Sequence, residues 1–383
     1  SSVDHFGRDQ LKQLFEVTAG PAVSIYMPTH RTGPDVAAQP LRLRAALQQA
    51  RQLMEGGDGP RPESLLEPFE QLVGDEEFWR HQADGLALFA SDGLEKFYRL
   101  PAPVPDLVVV APTFHTRPLV EFLQAPERFW VLSLTQKDVR LWEGTVSGLT
   151  PVNLGSVPTS LREALGFQVE KDRLSMHSSG GHGHKPMFHG HGAGKDDTRS
   201  ELEQFFRKVD AGVQALLEDE IGPIILAAVD YYHPIYQGIS KLENLAPEGI
   251  NGNVSDWDTS RLHDAAWPIA KTGVDRKIDR ALELWENSYG KGKVESDVSA
   301  AARLAVAGRI RLLLSEKGRR IWGHFDPSTG DVRIVADGGA DPGGNAVDLI
   351  DEIAERTLQL GGRALALDTD RMPTGTGIAV VLR

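Results

Sequence analysis

Between Ser200 and Val229 a strong helical period runs straight into an unbroken apolar run, and that junction directs the chain toward an α/β fold. Leu202, Phe205, Phe206, Val209, Val213, Leu216 and Leu217 recur at three- and four-residue spacing, which predicts an amphipathic helix over Ser200–Glu218. Asp196, Asp197 and Thr198 are the cap candidates at its start. Ile221–Val229 is then apolar at nearly every position, the pattern of a strand covered on both faces. A one-striped helix beside a two-faced strand is the building unit of layered α/β domains.

The flanking segments extend this reading. Upstream, Phe129–Thr135 and Val139–Gly144 alternate bulky residues across the Gln136-Lys137-Asp138 turn, predicting a hairpin. Nearer the start, Ala22–Met27, Gly85–Ala90 and Leu94–Arg99 read as strands around helices at Leu41–Met54 and Glu63–Leu72. Pro101, Pro103, Pro105 and Pro112 place a boundary between 112 and 127. Downstream, a helix is predicted over Val294–Glu316 and another over Ala346–Leu360, closed by Gly361-Gly362. Strands follow at Arg319–Phe325, Val332–Ala336, Ala364–Leu367 and Gly377–Leu382.

Composition excludes several chemistries. The 383 residues contain no cysteine, which removes disulfides, thiolate nucleophiles and cysteine-ligated metal centres. No apolar run approaches membrane-spanning length and no signal segment is read at Ser1–Asp9, so the expectation is a cytoplasmic protein without a membrane partner. A formal charge of −13 opposes non-specific nucleic-acid binding by the whole body but leaves room for a local basic face. There is no phosphate-cradling glycine loop with its lysine and hydroxyl partner.

The stretch MHSSGGHGHKPMFHGHGAGK, residues 176–195, carries the densest candidate chemistry. His182, His184, His189 and His191 form two His-x-His pairs, able on spacing alone to offer four imidazoles to zinc or nickel. Only Asp196 and Asp197 stand near as supporting carboxylates, so no cofactor is assigned. The same stretch reads as a glycine-rich arm, mobile over 177–195, in which Lys185, Lys195 and Arg199 are candidates for contact with RNA phosphates. Elsewhere His30-Arg31, Asp230–His233, and Asp256 with Asp258 and His263 are polar groups at element ends. Local hydrogen bonding, a domain joint and helix capping respectively account for them more simply.

The closing segment GGRALALDTDRMPTGTGIAVVLR resembles the end of archaeal and eukaryotic class 1 peptide-release factors, and Gly180-Gly181-His182 precedes the long helix where that family places its catalytic Gly-Gly-Gln loop. The chain is thus similar to the bacterial relatives of the archaeo-eukaryotic release factor family, including the pelota type. The resemblance implies an α/β fold in three domains. Residues 1–118 would form a small N-terminal α/β domain, and residues 119–272 a ribonuclease H-like middle domain carrying loop 177–195. Residues 273–383 would form an α/β/α ribosomal-protein-like domain of the kink-turn-binding type, which in that family mainly meets protein partners. It also implies a ribosome or transfer RNA as partner, and Gly180, Gly181 and His182 as the positional equivalents of the catalytic loop.

Histidine in place of glutamine departs from the motif. A translation-associated factor that is not a stop-codon release factor is therefore the leading expectation. A metal-assisted ester or phosphodiester hydrolase and a protein-interaction scaffold without RNA contact are the alternatives.

Overall fold

The computed structural model describes residues 3–17, 20–55, 62–166, 193–340, 342 and 346–383, with the side chains of 62 and 193–197 outside that description. The chain divides into two compact α/β units: Glu127–Val274, and a second unit assembled from Val3–Pro126 together with Asp275–Arg383.

The Glu127–Val274 unit is a three-layer sandwich. Its strands are β5 (Phe129–Leu134), β6 (Val139–Thr145), β7 (Gly148–Val152), β8 (Ile224–Ala228) and β9 (Ile250–Asn251), in the order β7-β6-β5-β8-β9. β6 runs antiparallel to both neighbours, whereas β8 is parallel to β5 and β9. Strand alternation divides the side chains between two cores. Trp130, Leu132, Ile224 and Leu226 meet Leu202, Phe205, Phe206, Val209 and Val213 of the helix Ala193–Leu216. Phe129, Val131, Ile225 and Ala227 meet Leu262, Ala266 and Ala270 of the helix Thr259–Tyr289. Phe205 and Phe206 are fully buried, each worth about 1.5–3 kcal/mol of transfer free energy. Gly144 is required opposite Phe129, because a Cβ there would lie 2.3 Å from the ring.

The other unit contains a four-stranded antiparallel sheet, β3-β2-β1-β4, from β1 (Ala22–Pro28), β2 (Gly85–Ser91), β3 (Leu94–Leu100) and β4 (Leu107–Ala111). Val23, Ile25, Met27, Leu86 and Leu88 pack on the helices Gln39–Met54 and Pro62–Val73. The opposite face, with Ala22, Tyr26, Ala87 and Phe89, shares one core with Leu313, Ile350, Ile353 and Val380 from the end of the chain. That common core is why residues so distant in sequence form one unit.

The C-terminal part holds two further sheets. The first has the order β10-β16-β11-β15, from β10 (Val294–Glu295), β11 (Ile310–Glu316), β15 (Arg363–Leu367) and β16 (Ile378–Leu382). The second is three-stranded, β13-β12-β14, from β12 (Ile321–Phe325), β13 (Val332–Asp337) and β14 (Val347–Asp348).

Two elements differ from the sequence reading. The segment Val294–Glu316, expected as one helix, is β10, a short helix Val298–Val306, and β11. Gly308 at φ +68° turns the chain after the helix, and the leucines that extend the helical period enter a sheet instead. The 31-residue helix Thr259–Tyr289 stands where the sequence suggests only a polar connection around Asp256–His263.

Candidate functional site

The His/Gly-rich stretch is framed by elements of the Glu127–Val274 unit. A short helix, Leu161–Leu165, precedes it, capped by Ser160 through Glu163 N, and the helix Ala193–Leu216 follows. Lys208 Nζ donates to Ala164 O at 2.5 Å and ties these two helices together. Gly180, Gly181, His182, His184, Lys185, His189 and His191 lie outside the described residues, as does the side chain of Lys195. The expectation of mobility over 177–195 likewise falls on residues almost wholly outside them. Arg199 is described: it is exposed and pairs with Glu203 at 3.2 Å, one turn along its helix.

The remaining polar candidates resolve into local structure. Arg31 pairs with Asp84 at 3.1 Å, and Gln39 Oε1 accepts from His30 N at 2.7 Å. His233 Nε2 lies 3.0 Å from Ala228 O and 3.1 Å from Ile250 O, so it bridges two neighbouring strands. Tyr232 packs on Phe206. Asp258 accepts from Arg261 N at 2.7 Å as a helix cap, and His263 Nε2 sits 2.8 Å from Thr145 O. Among the described residues no group of three or more histidines or carboxylates is placed to hold a metal ion.

The most unusual electrostatics occur on a face that sequence patterning does not single out. The helix Leu349–Gln359 begins at Asp348, whose Oδ1 accepts from Ile350 N at 3.1 Å and Ile321 N at 3.3 Å. Asp351, Glu352 and Glu355 follow at three- and four-residue spacing, so all four carboxylates share one helical face. That face meets the start of the helix Arg117–Gln124. Arg117 Nε lies 2.5 Å from Asp351 Oδ2, and its Nη2 lies 3.5 Å from Asp348 Oδ2. The same guanidinium also pairs with Glu121 at 3.2 Å. Tyr26 OH donates to His115 O, and Ser24 Oγ accepts from His115 N at 2.9 Å, which pins the preceding turn.

Burial, followed by repulsion from neighbouring carboxylates, pushes Asp351 and Glu355 up to about 7 and raises Glu352, while burial alone raises Asp348. Burial, followed by the nearby Arg117 charge, lowers His115. Such a group can take up or release protons near neutrality while joining an early and a late segment of the chain. The signal is present as Asp348-x-x-Asp351-Glu352-x-x-Glu355, but nothing local says that this helical face is covered.

Comparison with known proteins adds a family-level link. Residues 128–309, a little under half of the chain, match the family described as "Bacterial archaeo-eukaryotic release factor family 3". No curated protein matches. Among solved structures, the archaeal translation termination factor aRF1 is 15% identical, with 99% of this chain and 98% of that one covered and a TM-score of 0.28. Archaeoglobus fulgidus Pelota is 10% identical, with 100% and 93% covered and a TM-score of 0.26. Saccharomyces cerevisiae Dom34, a translation termination-like factor, is 12% identical, with 78% and 72% covered and a TM-score of 0.36. The bacterial part of the resemblance rests on the family's description alone, since these structures are archaeal or yeast proteins. Among the described residues no helix is long and apolar enough to cross a membrane.

Proposed function

We propose that this chain is a translation-associated factor that engages the ribosome or transfer RNA and does not act as a stop-codon release factor. The family match over residues 128–309 carries the reading. The strand order β7-β6-β5-β8-β9, with β6 the antiparallel member, supports a ribonuclease H-like identity for a middle domain of residues 119–272. In this reading residues 1–118 and 273–383 are the flanking modules, the latter of the ribosomal-protein-like, kink-turn-binding type and able to meet a protein partner. The protein works in the cytoplasm. In sequence, Gly180-Gly181-His182 precedes the long helix as a catalytic tip would, and Lys185, Lys195 and Arg199 offer charge to RNA phosphates.

Purified full-length protein is expected to pellet with ribosomes through a sucrose cushion, with binding weakened by salt. Failure to pellet with vacant, stalled and stop-codon ribosomes alike would remove the proposal.

Peptide release is expected to be negligible. Hydrolysis of the peptidyl ester calls for a narrow glycine tip and a positioned amide, and His182 supplies a single neutral donor on a wider ring. Release of labelled peptide from stop-codon complexes measures this directly, with His182→Gln as the informative variant. Release gained only by the variant places the tip at the reacting ester. Enzyme-like release by the parent contradicts the reading.

A further inference from the structure

One end of the sheet β10-β16-β11-β15 gathers a row of cations. The pairing register brings them together. Ile310 pairs with Leu382 and Leu312 with Arg363, so Arg311 and Arg363 sit at about the same level on neighbouring parallel strands. Arg383 N donates to Arg309 O at 3.0 Å, and Leu382 N donates to Lys293 O at 3.1 Å. Four adjacent strands therefore present Lys293, Arg383, Arg309 with Arg311, and Arg363 in one row. At ordinary strand spacing the row is roughly 14 Å wide. All of these residues are exposed, as is Lys291 in the turn that enters β10. Tyr289, 68% exposed, closes the preceding helix in that same turn, where Gly292 N donates to Tyr289 O at 3.0 Å.

The opposite end of the sheet is arranged differently. Lys317 pairs with Asp368 at 3.5 Å, Arg319 with Asp337 at 2.9 Å and Glu316 at 3.2 Å, and Arg371 with Asp279 at 2.7 Å. Among the described residues Lys291, Lys293, Arg309 and Arg311 make no ion pair, and Arg383 directs its guanidinium to the carbonyls of Ile310 and Leu360. In a chain of net charge −13 carboxylates are plentiful, yet these four cations make no ion pair among the described residues, and Tyr289 stands exposed in the turn that holds Lys291. That is the composition of a surface for a phosphodiester backbone. The cations would meet phosphates, and the tyrosine offers a ring for one unpaired base.

We propose that this end of the C-terminal sheet is an RNA-docking face, with Lys293, Arg309 and Arg311 as its phosphate contacts. The proposal deepens the translation-linked reading above, and rests on it for the RNA being ribosomal or transfer RNA.

The test uses the full chain and a labelled 20-nucleotide single-stranded RNA of mixed sequence, followed by fluorescence anisotropy between 50 and 200 mM salt. Replacing Lys293, Arg309 and Arg311 together by glutamine is expected to weaken binding on the order of tenfold or more at 50 mM salt. The slope of log K against log salt should fall by about 2. A control replacing the paired cations Lys317, Arg319 and Arg371 by glutamine removes the same charge and is expected to stay within about twofold of the parent. Circular dichroism of both variants confirms folding.

Equal loss in both variants, no loss in either, or no RNA binding by the parent at 50 mM salt overturns the face. So does equally tight, equally patch-dependent binding of polyglutamate, which would make the partner an acidic protein. Ribosome pelleting is read in parallel. RNA binding that depends on the patch, with no pelleting by the parent, leaves the face standing and removes the translation-linked reading. Pelleting by the parent, with RNA binding indifferent to the patch, does the reverse.

Discussion

Arg128→Met is expected to destabilise the Glu127–Val274 unit by about 3–5 kcal/mol, the usual cost of stranding buried charge by removing one partner. Arg128 and Glu143 are 3% and 1% exposed at their side chains, and Glu220 is 11% exposed. One guanidinium serves both carboxylates. Nε donates to Glu143 Oε1 at 2.8 Å, and Nη1 and Nη2 donate to the two Glu220 oxygens at 3.1 Å each. The pairing fastens β6 to the turn after the long helix while Arg128 also lies over the Trp130 ring at 5.3 Å. Methionine fills much of the volume and leaves Glu143 in an apolar wall with its charge uncompensated. Arg128→Lys should lose less in charge but still lose the planar fork that reaches two carboxylates at once. Hydrogen exchange of the amides of residues 127–166 and 199–274 reports the effect where it arises, without assuming that the whole chain unfolds in one step. Adding Glu143→Gln to Arg128→Met should recover part of the loss, because it removes the stranded charge. A loss below about 1 kcal/mol, or no recovery in the double variant, would show that water reaches the triad.

The contrast between legible and hidden features follows from the range of the interactions involved. The helix starting at Ser200 and the strand at Ile224–Ala228 are visible because burial on one or two faces imprints a local period. The hairpin of β5 and β6 is visible for the same reason. The segment Val294–Glu316 misleads because alanines and leucines at mixed spacing satisfy a helical and a strand pattern alike, and only Gly308 marks the break. The helix Thr259–Tyr289 is hidden because its buried stripe is made partly of small residues, Ala266 and Ala270 among them, which carry little apolar signal. The carboxylate face from Asp348 to Glu355 is invisible as a site for a different reason. Its chemistry depends on Thr116 and Arg117, which reach it only through the shared core of the two distant segments. The basic row is likewise a product of strand register, since Lys293, Arg311 and Arg363 have no common sequence pattern.

Replacing Glu355 by glutamine is expected to stabilise the unit formed by the two ends of the chain at pH 8, and to leave it nearly unchanged at pH 4. Burial first, then repulsion from Glu352, raise this carboxyl from the ordinary glutamate value of 4.5 to about 7, while Arg356 opposes the rise. The sign follows from linkage: the folded state binds the proton more tightly than the unfolded state. The associated stability is therefore fully present below about pH 4 and is lost as pH rises to about 7. Above that range the parent must hold an ionised carboxylate against Glu352 and Asp351 in a half-buried site. Each tenfold gain in proton affinity corresponds to about 1.4 kcal/mol, so the full effect is roughly 3 kcal/mol, and the part-exposed setting reduces it to about 1–3 kcal/mol. Glutamine keeps the shape and a donor beside Thr116 but cannot ionise. Urea unfolding of parent and variant across pH 4–8 gives the difference curve, which should rise through pH 5–7 and then flatten. Asp351→Asn is a weaker probe of the same effect, because it also removes an oxygen from Arg117 at 2.5 Å. A flat difference curve would mean that Glu355 is already solvated when ionised. A variant less stable than the parent at pH 8 would mean that the charged form is held by a cation, with Arg356 as the first residue to replace.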